Sequence, residues 1–170
     1  MSNYGDYFVP GLFFVTSAAI RREPVLAEAP TVHLLRTVLN RVKQRHPFRT
    51  LGYVFLPDHM HLLVAPGPGV TLDQVMHGVV RRFSREYLTL LGQPGGQPVW
   101  QVGYDKRNVD TVDAFAAYLD YVHYDPVRHG RAARPEEWLH SSYEAWVERG
   151  LYDLGWGWSE PKRIRGTNWG

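Results

Sequence analysis

The chain of 170 residues contains no cysteine. That excludes disulfides, zinc–thiolate centres and cysteine nucleophiles, and it removes any argument for a secreted, cross-linked scaffold. Long apolar runs are missing too: none approaches the ~20 residues that span a bilayer. The first ten residues are polar and aromatic, without the basic and apolar regions of a signal peptide. A cytoplasmic location and no membrane partner are the expectation. Acid is absent from one stretch. Between Thr31 and Arg49 there are five basic residues (Arg36, Arg41, Lys43, Arg45, Arg49) and no Asp or Glu. Between Ala133 and Asp153 the balance reverses, with two Arg against five acids. The net charge of +2 hides this asymmetry. A basic region on a near-neutral chain suits a polyanion; a solvated helix face is the plainer alternative.

What is present fits a globular protein. Hydrophobic residues make up 44% and charged residues 21%, so broad disorder is not expected. The length suits one domain over residues 1–170, with 155–170, rich in Gly and Trp, as a flexible tail. The pattern predicts a strand over 11–17, a helix over 30–47, a hairpin over 51–66 and a helix from the Thr71/Gln74 capping box to Gly92. A last strand is expected over 99–106, a third helix over 111–124 capped by Asp110 and ended by Pro126, and a short helix over 135–149. The order β-α-β-β-α-β implies an α+β, ferredoxin-like antiparallel sheet with helices on one face, plus extra C-terminal helices. Arg36, Arg41 and Lys43 on the first helix and Arg81, Arg82 and Arg85 on the second are candidate DNA-binding residues.

The hairpin carries the sharpest chemical signal. In Leu56-Pro57-Asp58-His59-Met60-His61, strand alternation sends His59 and His61 to one face and Met60 to the other. Two imidazoles on a rigid hairpin make half of a divalent-metal site. On the third helix, at about 100° per residue, Tyr121 and Asp125 are neighbours on a flank, half in and half out. Tyr118 turns closer to the core and Tyr124 to the far side. A phenol, a carboxylate one turn on and two imidazoles suit phosphodiester chemistry: Tyr121 as nucleophile, with Mg²⁺ or Mn²⁺ held by His59, His61 and Asp125. Taken singly, a His-x-His pair is often polar surface, and a Tyr-rich helix often only packs.

Together the blocks resemble a known family, the REP-associated tyrosine transposases, relatives of the single-tyrosine HUH transposases. The resemblance covers about residues 4–158. It rests on Phe13 to Thr16, Leu56 to His61, Trp100-Gln101, Trp138 to Ser142, and the block Tyr121-Val122-His123-Tyr124-Asp125-Pro126-Val127-Arg128-His129-Gly130. It implies His59 and His61 as metal ligands, Tyr121 as nucleophile and Asp125 at the third-ligand position. The family usually has Asn or Gln there, and an apolar residue where Arg131 stands. Arg128, inside the block, joins the DNA-binding candidates. The implied activity is metal-dependent nicking and strand transfer at single-stranded or hairpin DNA, through a 5′-phosphotyrosine, in a bacterial, nucleoid-associated setting. An idle relative that only holds DNA or RNA hairpins is the first alternative; a phosphoesterase without a tyrosyl intermediate is the second. Monomer and homodimer both stay open.

Overall fold

The computed structural model describes residues 3–170. Its centre is a four-stranded antiparallel sheet in the order β2-β3-β1-β4. The strands are β1 (Leu12–Ala18), β2 (Phe48–Leu56), β3 (His59–Pro66) and β4 (Asp105–Val109). The two long helices between them, α1 (Ala29–Arg45) and α2 (Leu72–Leu90), share one face of the sheet. Alternation decides which side chains they meet. Val15, Phe55, Met60, Leu62 and Val64 pack with Val32, Leu35, Val38 and Val42 of α1 and Val75, Val79 and Phe83 of α2. This is the ferredoxin-like arrangement that the order of elements predicts.

The opposite face is also covered. Phe14, Val54 and Leu63 point there and pack on Phe115, Leu119 and Val122 of α3 (Val112–Arg128). The sheet therefore separates two apolar clusters and is buried on both sides. Continuous runs such as 62–65 are apolar at every position for that reason.

Three expectations fail at element ends. The last strand is not 99–106. Trp100 makes one isolated bridge, to Ala19, and Gly103 at φ 74° breaks the extended run. The charged segment Asp105–Val109 pairs with β1 instead, as an exposed edge that tolerates charge. The helix over 135–149 is a single 3-10 turn, Pro135–Glu137, a loop, and the short α4 (Tyr143–Glu148). Within that loop Ser141 bridges Val54 and Phe55 N–H donates to the His140 carbonyl, so the outer edge of β2 is capped. The third helix is capped by Thr111, not Asp110, and it runs through Pro126 to Arg128. A proline in the last turn forfeits one backbone hydrogen bond, and the turn beyond is held by His129 N–H to the Asp125 carbonyl.

Residues 155–170, expected as a loose tail, follow a defined course over α3. Ile164 is buried in the α3-side cluster, and Arg163 pairs with the buried Asp120 at 3.0 Å. A buried polar chain ties this C-terminal region to the sheet. His123, fully buried, meets Tyr152 Oη at 2.6 Å and Ser142 Oγ at 2.7 Å, and Ser142 Oγ accepts from Tyr53 N–H at 2.9 Å.

Burial pushes the His123 pKa from 6.5 down to about 3. The unfolded chain protonates this ring near its ordinary value; the folded chain does so only near the lower one. The stability gained from the neutral buried ring is present above about pH 6.5 and is lost as pH falls toward 3. His123→Gln keeps a donor and an acceptor but no titratable proton. In urea unfolding, the stability advantage of the wild-type chain over that variant should shrink over this window, by on the order of a few kcal/mol. A gap that stays constant with pH excludes His123 as the source.

Candidate metal and tyrosine site

The site lies on the α3 face of the sheet, where β1, β3 and the last turn of α3 meet. The β1–β3 register sets Thr16 opposite His61 and Ala18 opposite His59. Both imidazoles are buried, and Asp125 is completely so. Asp125 Oδ2 stands 3.2 Å from His59 Nε2 and 3.3 Å from His61 Nε2. The outer ring nitrogens are held from behind: Asp58 Oδ1 lies 2.7 Å from His59 Nδ1, and Thr16 Oγ1 2.9 Å from His61 Nδ1. An ionised Asp58 can only accept, so His59 Nδ1 carries its proton and Nε2 turns a lone pair toward Asp125. A lone pair facing a carboxylate needs a cation between them, either a further proton or a metal ion.

The donor set fits a divalent ion. One atom each from His59, His61 and Asp125 lie within 4.8 Å of one another. His61 Nε2 is buried without a hydrogen-bond partner, as a free ligand atom would be. Asp58 and Thr16 do what outer partners of metal-bound histidines do, fixing ring orientation and tautomer. Such an ion would be held by His59, His61 and Asp125 and would polarise a phosphate oxygen.

The carboxylate is the hub. Its Oδ1 accepts from the Arg128 guanidinium at 2.6 Å and faces His129 Nε2 at 3.3 Å. Arg128 and His129 reach it because α3 continues past Pro126, which makes them its i+3 and i+4 neighbours. Burial alone would raise the Asp125 pKa; His129, His59 and His61 outweigh burial and hold it well below the usual carboxylate range. Burial also pulls His59 down, yet Asp125 and Asp58 leave it above its ordinary value, whereas His61, still deeper, falls below.

Tyr121 completes the group. Its ring stands edge-on to His61 with centroids 5.7 Å apart, and the Arg128 guanidinium lies 4.1 Å over its face. The expected half-exposed flank is only 1% exposed, because the C-terminal segment covers it. Trp169 N–H donates to Tyr121 Oη at 3.0 Å, and that hydroxyl donates to the Gly170 carbonyl at 3.3 Å. Burial raises the phenol's pKa, and Asp125 adds to this against the Trp169 N–H and Arg128. Tyr118, expected nearer the core, is half-buried instead and stacks on Phe14, with centroids 4.6 Å apart.

A family model described as "Transposase IS200 like" matches residues 14–125, which takes in both histidines, the tyrosine and the aspartate. The chain belongs to the IS200-like transposase family. It is similar to the REP-associated tyrosine transposase of Escherichia coli K12, at 27% identity over 158 residues, 92% of this chain and 91% of that one. A relative from Haemophilus influenzae is 25% identical over 176 residues, covering 98% and 99% of the two chains. A solved structure of a REP-associated tyrosine transposase bound to a REP hairpin shares the fold, with a TM-score of 0.74, 24% identity and 96% coverage of both chains.

The cationic residues of the chain divide between the two faces. Arg128 alone of the candidates stands at the site. Arg36 covers Tyr53 at 5.1 Å and Phe55 at 5.4 Å, Lys43 lies 5.8 Å over Phe48, and Arg41 pairs with Glu86 at 3.0 Å. Arg81, Arg82 and Arg85 line a shallow groove between α1 and α2 with Arg41 and Arg45. All of these belong to the helices on the far side of the sheet from His59 and His61. From the sequence, Thr16 and His129 were only parts of matched blocks, Asp58 had no role and Trp169 lay in the tail. Asp58 had a signal in its place directly before His59. Trp169 had none, since only the chain's path brings it here. Among the described residues, no helix is long and apolar enough to cross a membrane.

Metal binding is testable without catalysis. Mn²⁺ at about a hundredfold over its Kd should stabilise the folded chain by about 2.7 kcal/mol, read as a rise in Tm. His61→Ala should lose that rise. An equal rise in both proteins would place the ion elsewhere.

Proposed function

We propose that the protein is a divalent-metal-dependent nickase and strand transferase acting on single-stranded DNA at the foot of a hairpin of the REP kind, with Tyr121 as nucleophile. The observation that carries this reading is the cluster of buried Tyr121, His59, His61 and Asp125 with the half-buried Arg128 beside them. Tyr121 Oη attacks the scissile phosphorus and loses its proton to solvent. The new O–P bond gives a 5′-phosphotyrosine, the P–O3′ bond breaks, and the leaving 3′-oxygen takes up a proton. A second 3′-hydroxyl then attacks the phosphotyrosine, releases Tyr121 and joins the strands. The ester conserves the bond energy, so no nucleotide cofactor is required. Arg128, between the Tyr121 ring and Asp125, is set to clamp the phosphate as charge develops on it. The hairpin carried by the structural relative supports the choice of substrate.

A binding-only reading has one observation in its favour: the Tyr121 hydroxyl is engaged by Trp169 and Gly170. Covalent chemistry separates the two. With a cleavable hairpin and Mn²⁺ or Mg²⁺, the chain should form an adduct that shifts on a denaturing gel and maps to the Tyr121 peptide. Tyr121→Phe should fold and bind DNA but form no adduct. An adduct that persists in that variant, or maps to Tyr118 or Tyr124, sinks the assignment.

The α1–α2 groove is proposed as a second phosphate-contact surface, for the hairpin stem. Each phosphate neutralised contributes about 0.9 to the slope of log affinity against log salt on duplex DNA. Replacing Arg81, Arg82 and Arg85 together by Gln should flatten that slope by about two to three and leave adduct chemistry at saturating DNA intact. An unchanged slope moves the stem to another surface.

A further inference from the structure

We infer that the cavity between the loop after α3, α4 and the segment that follows α4 is a docking site for a basic, amphipathic segment of another protein. The cavity shares no residue with the tyrosine site or with the arginine groove. The inference therefore goes beyond the reading of the chain as a nickase and stands apart from it.

The cavity has a volume of about 440 Å³. Its aromatic lining is fixed in place. Tyr152 Oη meets the buried His123 at 2.6 Å, Trp138 Nε1–H donates to the Phe55 carbonyl at 3.1 Å, and the Tyr143 and Tyr152 rings lie 5.2 Å apart. A lining already ordered lowers the cost of binding. Leu139, Val147 and Leu154 line the same cavity and are 77%, 40% and 98% exposed. Single apolar side chains on a surface need no explanation, but three around one cavity form a patch, and such patches mark places where proteins meet. Leu139 comes from the loop, Val147 from α4 and Leu154 from the segment beyond it. Tertiary structure assembles the patch, and no apolar run in the sequence announces it.

Charge selects the partner. Glu136, Glu144 and Asp153 line the cavity too, and all three are exposed. Among the described residues, no Lys or Arg lines it. The two arginines of the 133–153 stretch lie on rings instead, Arg134 at 4.4 Å over Trp158 and Arg149 at 4.4 Å over Trp146. Among the described residues, Glu144 and Asp153 are in no ion pair. Their charge repels DNA and anionic lipid. A two-fold contact between copies would set these carboxylates against themselves. A cationic occupant meets none of these objections. Leu139 and Leu154 stand mostly outside the cavity, so the apolar surface is broader than a small organic cation covers. An amphipathic segment fits both features: its apolar side chains enter the cavity, and Lys or Arg on its flanks meet Glu144 and Asp153.

The test uses the full chain and two fluorescein-labelled peptides of about 14 residues, or about four helical turns. One has Leu at helical spacing and Lys elsewhere; in the other, Glu replaces Lys. By fluorescence anisotropy, the Leu/Lys peptide should bind about tenfold more tightly than the Leu/Glu peptide. Leu139→Ser with Leu154→Ser should weaken the Leu/Lys peptide about tenfold. Glu144→Lys with Asp153→Lys should reverse the preference between the peptides. The four replaced side chains are exposed, so these variants fold as the parent does. The comparison of peptides on the unmodified chain needs no variant at all. The docking site is overturned if the Leu/Lys peptide does not bind, if both peptides bind alike, or if either pair of substitutions leaves binding as in the parent. A dimer in sedimentation that the serine pair dissociates would give the face to a second copy and overturn it as well.

Discussion

One buried negative charge organises the functional half of the molecule. The Asp125 carboxylate is out of contact with water, and leaving such a charge unpaired costs about 3–5 kcal/mol. Four side chains answer it: His59 and His61 from the sheet, Arg128 and His129 from its own helix. Each answer constrains the chain. The hairpin must keep its register, because a slip of one residue would send both imidazoles into the α1–α2 core. The third helix must continue past Pro126, because only helical spacing brings Arg128 and His129 back to the carboxylate. The guanidinium held in this way then covers Tyr121. A neutral amide at position 125 would bind these four partners more weakly. The carboxylate gives a tighter, more pre-organised site, with one more negative charge near an incoming phosphate.

Much of this was legible in the sequence where local rules act alone. Strand alternation placed His59 and His61 on one face, and helical spacing joined Tyr121 to Asp125. The capping box at Thr71 and Gln74 marked the start of α2. The order of elements gave the sheet. Failures came where partners distant in sequence decide. Apolarity pointed to 99–106 as a strand, but pairing with β1 selected the charged 105–109. A proline normally ends a helix, but the bonds of the final turn outweighed the one lost at Pro126. Composition made 155–170 look loose, yet Arg163 on Asp120 and Trp169 on Tyr118 fix its path. The exposure of Tyr121 was misjudged for the same reason, since its cover comes from residues 48 and 49 positions away.

The two faces of the sheet carry different work. The α1–α2 side holds most of the fold's aliphatic packing and presents arginines outward. The α3 side holds the histidines, the aspartate and most of the buried aromatic rings. Its network from Tyr53 through Ser142 and His123 to Tyr152 contains no permanent charge, so it joins the C-terminal segments to the sheet without adding to the field around Asp125.

The capped edge of β2 has a consequence for how copies of this chain can meet. The loop after α3 occupies the backbone groups of β2 at Tyr53 and Phe55, so that stretch of the rim offers no template for an added strand. The other rim is β4, open but short, and its Asp105, Lys106 and Arg107 come in a fixed order. A second copy laid antiparallel along it with Lys106 at the centre would oppose lysine to lysine and, in the same register, Asp105 to Arg107. Growth of the sheet from molecule to molecule thus meets a partly filled rim at β2 and a short, charged rim at β4, a safeguard against aggregation for a protein whose strands are so continuously apolar.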